Sequence, residues 1–216
     1  MIENPTKVDS SAPPKRHRWC QYSLRSLLAF TALCAVAARW VGDPVIKARQ
    51  QATSAQAIRA SGGQVYTCRG KPIVPDWMRT FYAPELAASV SHVELPRDSG
   101  DAEFALLDGV PDLLYLMSSG SQVTDAGLAH LSALTELQGL NLSNTRITDA
   151  GLSRLKGLTN LKDVRLSHTQ ISDAGLEQLK SMGQLQSLWL DRTRVTKDGV
   201  RRLRQALPRC SSIVGP

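Results

Sequence analysis

The stretch that decides the fold is LQGLNLSNTRITDAGLSRLKGLTN, residues 137–160, which residues 161–184 repeat as LKDVRLSHTQISDAGLEQLKSMGQ. Further copies begin at Leu113 and Leu185, so the same leucine recurs at equal intervals along the chain. A fixed period of this length indicates coils that stack and bury their apolar side chains against their neighbours. We therefore expect a solenoid over residues 90–216.

Each copy reads as a short strand followed by a helix. Leu140 and Leu142 alternate with other residues, as the buried positions of a strand do. Thr148 precedes a helical stretch as an N-cap, and Asp149 lies at the positive end of the helix dipole. The sequence thus predicts an α/β fold with short parallel strands on a concave face and helices on a convex face.

Two further positions recur in the copies. The glycines of the Asp-Ala-Gly motif and its variants predict a close approach of the chain where strand turns into helix: Gly127, Gly151, Gly175 and Gly199. A hydroxyl residue follows each strand, and we expect it to point inward and to bond to the backbone of neighbouring coils. These residues are Ser121, Thr145, Thr169 and Thr193.

The pattern L-xx-L-x-L-xx-T-x-I-[TS]-D-A-G-L, over Leu113 to about Leu207, resembles the cysteine-containing type of leucine-rich repeat found in F-box proteins and their bacterial relatives. Threonine stands where that class often has cysteine or asparagine. The resemblance implies a repeat solenoid that binds other proteins. Since residues 1–89 contain no recognisable F-box, a role in ubiquitin ligation is not carried over.

The terminal coils depart from the pattern, as terminal repeats do. Val90, Val93 and Leu95 have strand spacing and start a degenerate first coil, in which the threonine and Asp-Ala-Gly positions are not recognisable. In the last copy Lys197 takes the aspartate position. Residues 212–214 then predict a final edge strand.

The N-terminal part predicts a membrane anchor. Residues 1–18 are polar and basic, which indicates a disordered lead-in. Residues 19–41 follow as an apolar stretch with Arg25 and Arg39 near its ends and with aromatic residues placed as in a membrane-interface belt. Ala35-Val36-Ala37 leaves a cleavable signal peptide open, and a buried amphipathic helix is the third reading.

A second resemblance supports the anchor. Trp19-Cys20-Gln21-Tyr22-Ser23-Leu24-Arg25-Ser26-Leu27-Leu28 is similar to the W-x-x-F/Y-S-L-R-x-L-L anchor of membrane-associated proteins of planctomycete-type bacteria, with tyrosine in place of the commoner phenylalanine. It implies a single-pass protein of the cell membrane. The slight excess of Lys and Arg before the span favours repeats outside the cytoplasm, with a cytoplasmic protein as the alternative.

Residues 42–89 are expected to form a spacer and N-terminal cap. Residues 44–60 have helical spacing, which Ser61-Gly62-Gly63 ends, and residues 64–68 read as a strand. Pro75 predicts the start of another short helix through Phe81. A disulfide between Cys68 and Cys210 is possible if this part of the chain is extracytoplasmic.

Strand alternation selects the candidate binding residues. Side chains that alternate with the buried leucines should point out of the concave sheet. A tryptophan and an arginine on such a surface have the composition of a binding hot spot, although Trp189 could instead pack under a flanking segment. The predicted partner-binding residues are Tyr115, Met117, Asn141, Asp163, Arg165, Trp189 and Asp191.

The sequence gives little support to other function classes. No nucleophile motif, phosphate loop, zinc-type spacing or aromatic-interleaved basic motif occurs, despite a net charge of +7. We expect no catalysis, no cofactor, no metal, no nucleic acid and no small-molecule substrate. The predicted function is binding of another protein by a membrane-anchored solenoid, with a soluble F-box-like adaptor or a structural envelope component as alternatives.

Overall fold

The computed structural model describes residues 24–68 and 89–215. Its seven strands form one sheet in chain order. The strands are β1 (Gln64–Cys68), β2 (Ser89–Glu94), β3 (Tyr115–Met117), β4 (Gly139–Asn141), β5 (Asp163–Arg165), β6 (Ser187–Trp189) and β7 (Ser212–Val214). β1 runs antiparallel to β2, and every later pair is parallel. The predicted α/β solenoid with parallel strands is confirmed.

From β2 onward, a helical segment connects each strand to the next. The α-helices are α1 (Leu24–Ala60), α2 (Asp101–Ala105), α3 (Asp149–Leu152), α4 (Asp173–Leu179) and α5 (Lys197–Ala206). Tight 3-10 turns extend or replace them over Leu106–Gly109, Gly127–Ala133 and Ser153–Gly157. Coils as short as these leave room for only one to three helical turns, which explains the brevity of the elements.

The core is an aliphatic stack that runs through the coils. The middle residue of each strand pairs with the middle residue of the next, so Leu116, Leu140, Val164 and Leu188 form a continuous buried row. The leucines that set the period lie behind this row, and each is fully buried: Leu113, Leu137, Leu161 and Leu185. Phe104 fills the first coil in the same way.

The chain divides into two compact units, residues 1–41 and residues 42–216. In the second unit the end of α1 packs on the first coil, with Ala48, Ala55 and Ile58 buried. Asp112 accepts hydrogen bonds from Lys47 Nζ at 3.0 Å and Gln51 Nε2 at 3.1 Å. The helix ends where Gly62 adopts a φ of 86°.

The transmembrane helix expected over residues 19–41 is not confirmed. Residues 19–23 lie outside the described part of the chain, as do the lead-in at 1–18 and the short helix expected at 75–81. None of the described helices is long and apolar enough to cross a membrane. In sequence terms, Arg25 and Arg39 leave a short uncharged run between them.

The aspartates of the repeat join each coil to the next. Asp149 accepts the backbone N–H of Ser172 at 2.8 Å and its hydroxyl at 2.5 Å. Asp125 holds Thr148 in the same way, at 2.9 and 2.6 Å. The hydroxyl so fixed also caps its own helix, since the N–H of Ala174 lies 3.3 Å from Ser172 Oγ.

This contact explains the recurring glycines. A Cβ on Gly175 would overlap the carboxylate of Asp149, the aspartate of the preceding coil, and the same holds for Gly199 and Asp173. The predicted close approach at these glycines is therefore confirmed, and the group that approaches each glycine is the aspartate carboxylate of the preceding coil. The first coil takes part as well, because Asp101 binds Thr124; the prediction that this coil lacks the aspartate position was wrong.

The hydroxyl residues after the strands correct a second expectation. Thr145 and Thr169 are buried as predicted. They donate to the carbonyl oxygens of Leu142 at 2.7 Å and Leu166 at 2.6 Å, three residues earlier in their own coils. They therefore close the turn of one coil and do not bond to its neighbour.

Candidate functional site

Two rows of side chains run across the open face of the sheet, the face predicted to be concave. The Tyr115 row consists of the paired residues His92, Tyr115, Gly139, Asp163, Ser187 and Ser212. The Trp189 row consists of the paired residues Glu94, Met117, Asn141, Arg165, Trp189 and Val214. Six of the seven predicted binding residues lie in these rows, and Asp191 lies in the loop after β6.

Trp189 and Arg165 form the most distinctive contact of the Trp189 row. They face each other across β5 and β6, and the guanidinium carbon of Arg165 lies 4.6 Å from the centre of the indole ring. This cation–π contact orients both side chains and covers the indole. Trp189 is thus partly buried by its neighbour in the row, which leaves the guanidinium exposed above the sheet.

Met117 and Asn141 continue this row but differ in accessibility. Met117 is 40% exposed and is one of the large apolar side chains open to solvent. Asn141 is only 8% exposed, and its Oδ1 accepts the backbone N–H of Ser143 at 3.1 Å. The interpretation of Asn141 as an exposed contact residue was wrong, because its side chain turns back to its own loop.

The Tyr115 row carries an aromatic pair, Tyr115 and His92, of which the sequence predicted only Tyr115 as a binding residue. The rings of Tyr115 and His92 stack with centroids 4.6 Å apart and planes 12° from parallel. Gly139 lies below the tyrosine, since a Cβ there would be 2.5 Å from the ring carbon Cδ1. His92 was missed, although it lies between Val90 and Val93 on a predicted strand.

The two predicted aspartates lie on either side of the Trp189–Arg165 pair. Asp163 belongs to the Tyr115 row, beside Gly139 in the register, and is partly buried. Asp191 accepts a hydrogen bond from Ser167 Oγ at 3.4 Å. The pair and these two carboxylates give this part of the open face mixed charge around an aromatic centre.

Three bulky residues stand beside the strands in an unusual backbone conformation. Asn144, His168 and Arg192 have φ of 57°, 60° and 54°, and Gly120 takes the matching place in the second coil with 78°. Left-handed backbone is strained for residues with a Cβ, least so for asparagine. All three side chains are exposed and extend the open face along one edge.

A cleft of about 360 Å³ lies at one end of the Trp189 row. It is lined by residues of β1, β2 and the loops that follow β2 and β3, among them Gln64, Glu94, Arg97, Met117 and Ser119. The exposed side chain of Met117 therefore lines this cleft together with the acidic Glu94 and the basic Arg97. An extended segment crossing the open face would reach this cleft after leaving Trp189.

Two carboxylates with lowered pKa values, Asp101 and Asp173, belong to the aspartate contacts between coils. The N–H and hydroxyl of Thr196 hold the pKa of Asp173 below its usual range, with a contribution from the Arg202 guanidinium. For Asp101, partial burial acts to raise the pKa, but hydrogen bonds from Thr124 and Gly127 outweigh it. Within residues 24–68 and 89–215, no group of three potential ligands could hold a metal ion.

Cys210 is a free thiol in the last coil. It is buried, and its Sγ lies 3.7 Å from the carbonyl oxygen of Ser212. Burial raises the pKa of this thiol. The disulfide considered between Cys68 and Cys210 is therefore not formed here.

Residues 135–178 match the family model described as leucine rich repeats, in two copies. Over these residues the chain is similar to leucine-rich repeats. The matched stretch contains Thr148, Asp149 and Ser172 of the contacts between coils, and the Asn141–Arg165 part of the Trp189 row.

Two solved structures resemble parts of the chain. One is a leucine-rich repeat protein of Leptospira interrogans, with 24% identity over 50% of this chain and 27% of that one and a TM-score of 0.41. The other is an internalin of Listeria monocytogenes, with 19% identity over 50% of this chain and 36% of that one and a TM-score of 0.38. This chain spans well under half the length of either protein. No curated protein matches the sequence.

Proposed function

We propose that the protein binds another protein through the open face of its repeat sheet and that it is not catalytic. The observation that carries the proposal is the Trp189–Arg165 contact on adjacent strands, 4.6 Å between guanidinium and indole. Tryptophan and arginine dominate the binding energy of protein interfaces, above all where both are held in place before binding. Leucine-rich repeats generally offer such a sheet for protein contacts.

The rest of the open face fits the rim of an interface. Met117 adds an exposed apolar contact two strands away from Arg165, and Asp163 and Asp191 add charge at the sides. Because the strands are held by a fully buried row beneath them, little ordering entropy is lost when a partner docks. The surface spans few coils, so its affinity depends on the Trp189–Arg165 centre.

The experiment is site-specific photo-crosslinking in intact cells of the source organism. The photoreactive residue p-benzoylphenylalanine is placed at position 117, on the open face, and in a matched variant at position 154, on an exposed helical turn. We expect an adduct of one discrete mass from position 117 and a weaker or different pattern from position 154. The adduct from 117 should disappear when Arg165→Glu and Trp189→Ala are combined.

A control must show that the adduct is not lost because the combined variant unfolds. The combined variant should keep the circular dichroism spectrum and the urea midpoint within the range of an exposed substitution, because neither side chain belongs to the buried row. An adduct from position 117 that persists in a folded Arg165→Glu, Trp189→Ala protein contradicts binding at this face. A structural envelope role without a discrete ligand predicts no adduct of one discrete mass from position 117 in the unaltered protein.

Membrane anchoring is the second part of the proposal, and it rests on the sequence of residues 19–41. We propose a single-pass protein of the cell membrane with its repeats on the extracytoplasmic side. The support is the run between Arg25 and Arg39, flanked by Trp19, Tyr22 and Trp40 at interface positions. Carbonate extraction of membranes, followed by protease treatment of cells stripped of their outer barrier, tests it. A full-length product in the carbonate wash supports the adaptor alternative.

A further inference from the structure

The last coil carries an unusual concentration of positive charge. Residues 192–215 contain seven Lys and Arg residues and one aspartate, Asp198. The preceding coils are mixed in sign. Part of this charge is already used, since Arg202 reaches back to Asp173 of the preceding coil at 3.1 Å. The remaining bases of α5 lie on sides of the helix that do not face that coil.

The charge at the position of the repeat aspartate is reversed in the last coil. Asp101, Asp125, Asp149 and Asp173 each accept the N–H and hydroxyl of the coil that follows. Lys197 stands at the equivalent position of the last coil and cannot accept hydrogen bonds. A further coil of the same kind therefore finds no acceptor here. The positive charge at this position favours a binding partner that carries negative charge.

A cleft of about 440 Å³ marks the place. Lys197, Arg201 and Arg204 line its helical side, at the spacing of one helix face, and Val200 and Ile213 contribute apolar surface. Arg201 is partly neutralised by Asp198 at 2.8 Å. None of the ion pairs among the described residues involves Lys197 or Arg204. Asp198 also lines the cleft, and its carboxylate is paired with Arg201. The cleft thus presents Lys197 and Arg204, which lie outside these ion pairs, beside an apolar floor formed by Val200 and Ile213.

The other side of the cleft is a strand edge. Ser212 N–H and Val214 C=O bond toward β6, at 3.2 Å to Gln186 O and 2.7 Å to Leu190 N. Successive residues of a parallel strand point their N–H and C=O to opposite sides, so those of Ile213 face away from β6. Among the described strands, β6 is the sole neighbour of β7. The edge offers a donor and an acceptor to an added strand.

We propose that this end of the solenoid binds an acidic, extended peptide segment of a partner as a strand beside β7. The peptide backbone pairs with Ile213, and its carboxylates meet Lys197 and Arg204 across the cleft. Strand addition of this kind takes affinity from main-chain hydrogen bonds and specificity from alternate side chains. This surface adjoins the open face, because β7 contributes Ser212 and Val214 to its two rows.

The features of the cleft favour a peptide over other anions. A membrane surface would leave the N–H and C=O of Ile213 without partners, and the cleft has no aromatic platform of the kind that single-stranded nucleic acid stacks on. An extended polypeptide satisfies the strand edge, the apolar floor and the two cations together. Successive side chains of a strand point to opposite faces, so every second residue of the peptide, on the side of the cleft, should be acidic.

The test uses the full chain and a fluorescein-labelled peptide of about eight residues in which valine and glutamate alternate, the length of an ordinary strand. Fluorescence anisotropy measures its affinity. Two matched peptides separate the contributions: one has glutamine for glutamate, and one has alternate N-methylated amides that block strand pairing. We expect each to bind about tenfold more weakly or worse than the parent peptide.

The protein variants are matched in charge. Lys197→Glu combined with Arg204→Glu should weaken peptide binding about tenfold or more. Arg146→Glu combined with Arg154→Glu changes the net charge equally at exposed positions in the middle of the solenoid, and should weaken it less than about twofold. Circular dichroism of both variants checks that the fold is kept, and the peptide series tests the proposal in the unaltered protein.

Four outcomes overturn the proposal. If the N-methylated peptide binds as tightly as the parent peptide, binding does not involve strand pairing. If both charge variants weaken peptide binding equally, binding does not involve the cleft. Binding of single-stranded DNA or of vesicles containing phosphatidylserine that depends on Lys197 and Arg204, without peptide binding, assigns the cleft to another anion. Self-association that sedimentation detects and the Lys197→Glu, Arg204→Glu variant abolishes assigns it to a second copy of the chain.

Discussion

The seam between the last two coils permits a double-mutant cycle with a definite sign. A Cβ on Gly199 would overlap Asp173 Oδ1 and lie 2.5 Å from its Cγ, and all three atoms nearest to it belong to Asp173. Gly199→Ala alone therefore adds a clash worth about 1–3 kcal/mol. The helix propensity of alanine offsets about 0.5–1 kcal/mol of this, because Gly199 lies in α5.

Asp173→Ala removes the group that causes the clash. The carboxylate accepts Thr196 N–H at 2.8 Å and Thr196 Oγ1 at 2.7 Å, but water reaches Thr196, so we expect a loss of about 1–2 kcal/mol. In this background the clash disappears, and Gly199→Ala should stabilise the protein by about 0.5–1 kcal/mol. The coupling energy of the two substitutions is then about −2 kcal/mol.

Urea unfolding followed by circular dichroism measures the four free energies of unfolding. The matched control is Gly183→Ala, because nothing lies within 4 Å of a Cβ at that position. It should be nearly neutral and additive with Asp173→Ala. If Gly199→Ala and Asp173→Ala are additive to within about 0.5 kcal/mol, the carboxylate is not the reason for the recurring glycine.

Three further predictions concern other features. Asp101 and Asp173 have lowered pKa values in the folded state. Their contribution to stability should therefore be present above the ordinary carboxyl pKa of 3.8 and be lost as pH falls through the lowered values. The variant Asp173→Asn should flatten the acid side of a plot of urea midpoint against pH. Arg192→Gly should stabilise the protein by about 0.5–1 kcal/mol in thermal unfolding and Arg192→Val should destabilise it, because the φ of 54° strains a β-branched residue most; equal effects of both would show that the conformation relaxes. Cys210, buried and with a raised pKa, should resist alkylation by iodoacetamide at pH 8 until urea unfolds the last coil, as peptide mass spectrometry can follow; rapid native labelling would contradict its burial.

The repeat architecture follows from the sequence because one pattern, read once in every coil, fixes both the buried leucines and the strand register. Alternation about Leu140 and Leu142 correctly predicted that Met117, Arg165 and Trp189 share one row. It predicted the cation–π contact less well, since the sequence does not say whether Trp189 is covered by a neighbour or by a separate segment. These successes depend on local periodicity.

The failures depend on contacts between coils or within one loop. Asn141 has the right phase for the open face, yet its amide turns to the N–H of Ser143. Tyr115 was read as free contact surface, whereas His92 and Gly139 hold its ring. Asp149 looks like a cap of its own helix, and its partner is a serine of the following coil, Ser172. The partners of Tyr115 and Asp149 lie in other coils, and that of Asn141 depends on how one loop turns, so periodicity alone cannot supply them.

The aspartate seams also give the solenoid a direction. Each coil presents a carboxylate to its successor and receives one from its predecessor, so every internal junction has the same two halves. Duplication or loss of one whole repeat unit in the gene would recreate a matching junction, whereas a gain of any other length would leave a carboxylate and a hydroxyl out of register. The array can therefore lengthen or shorten in evolution by unequal exchange between its own copies.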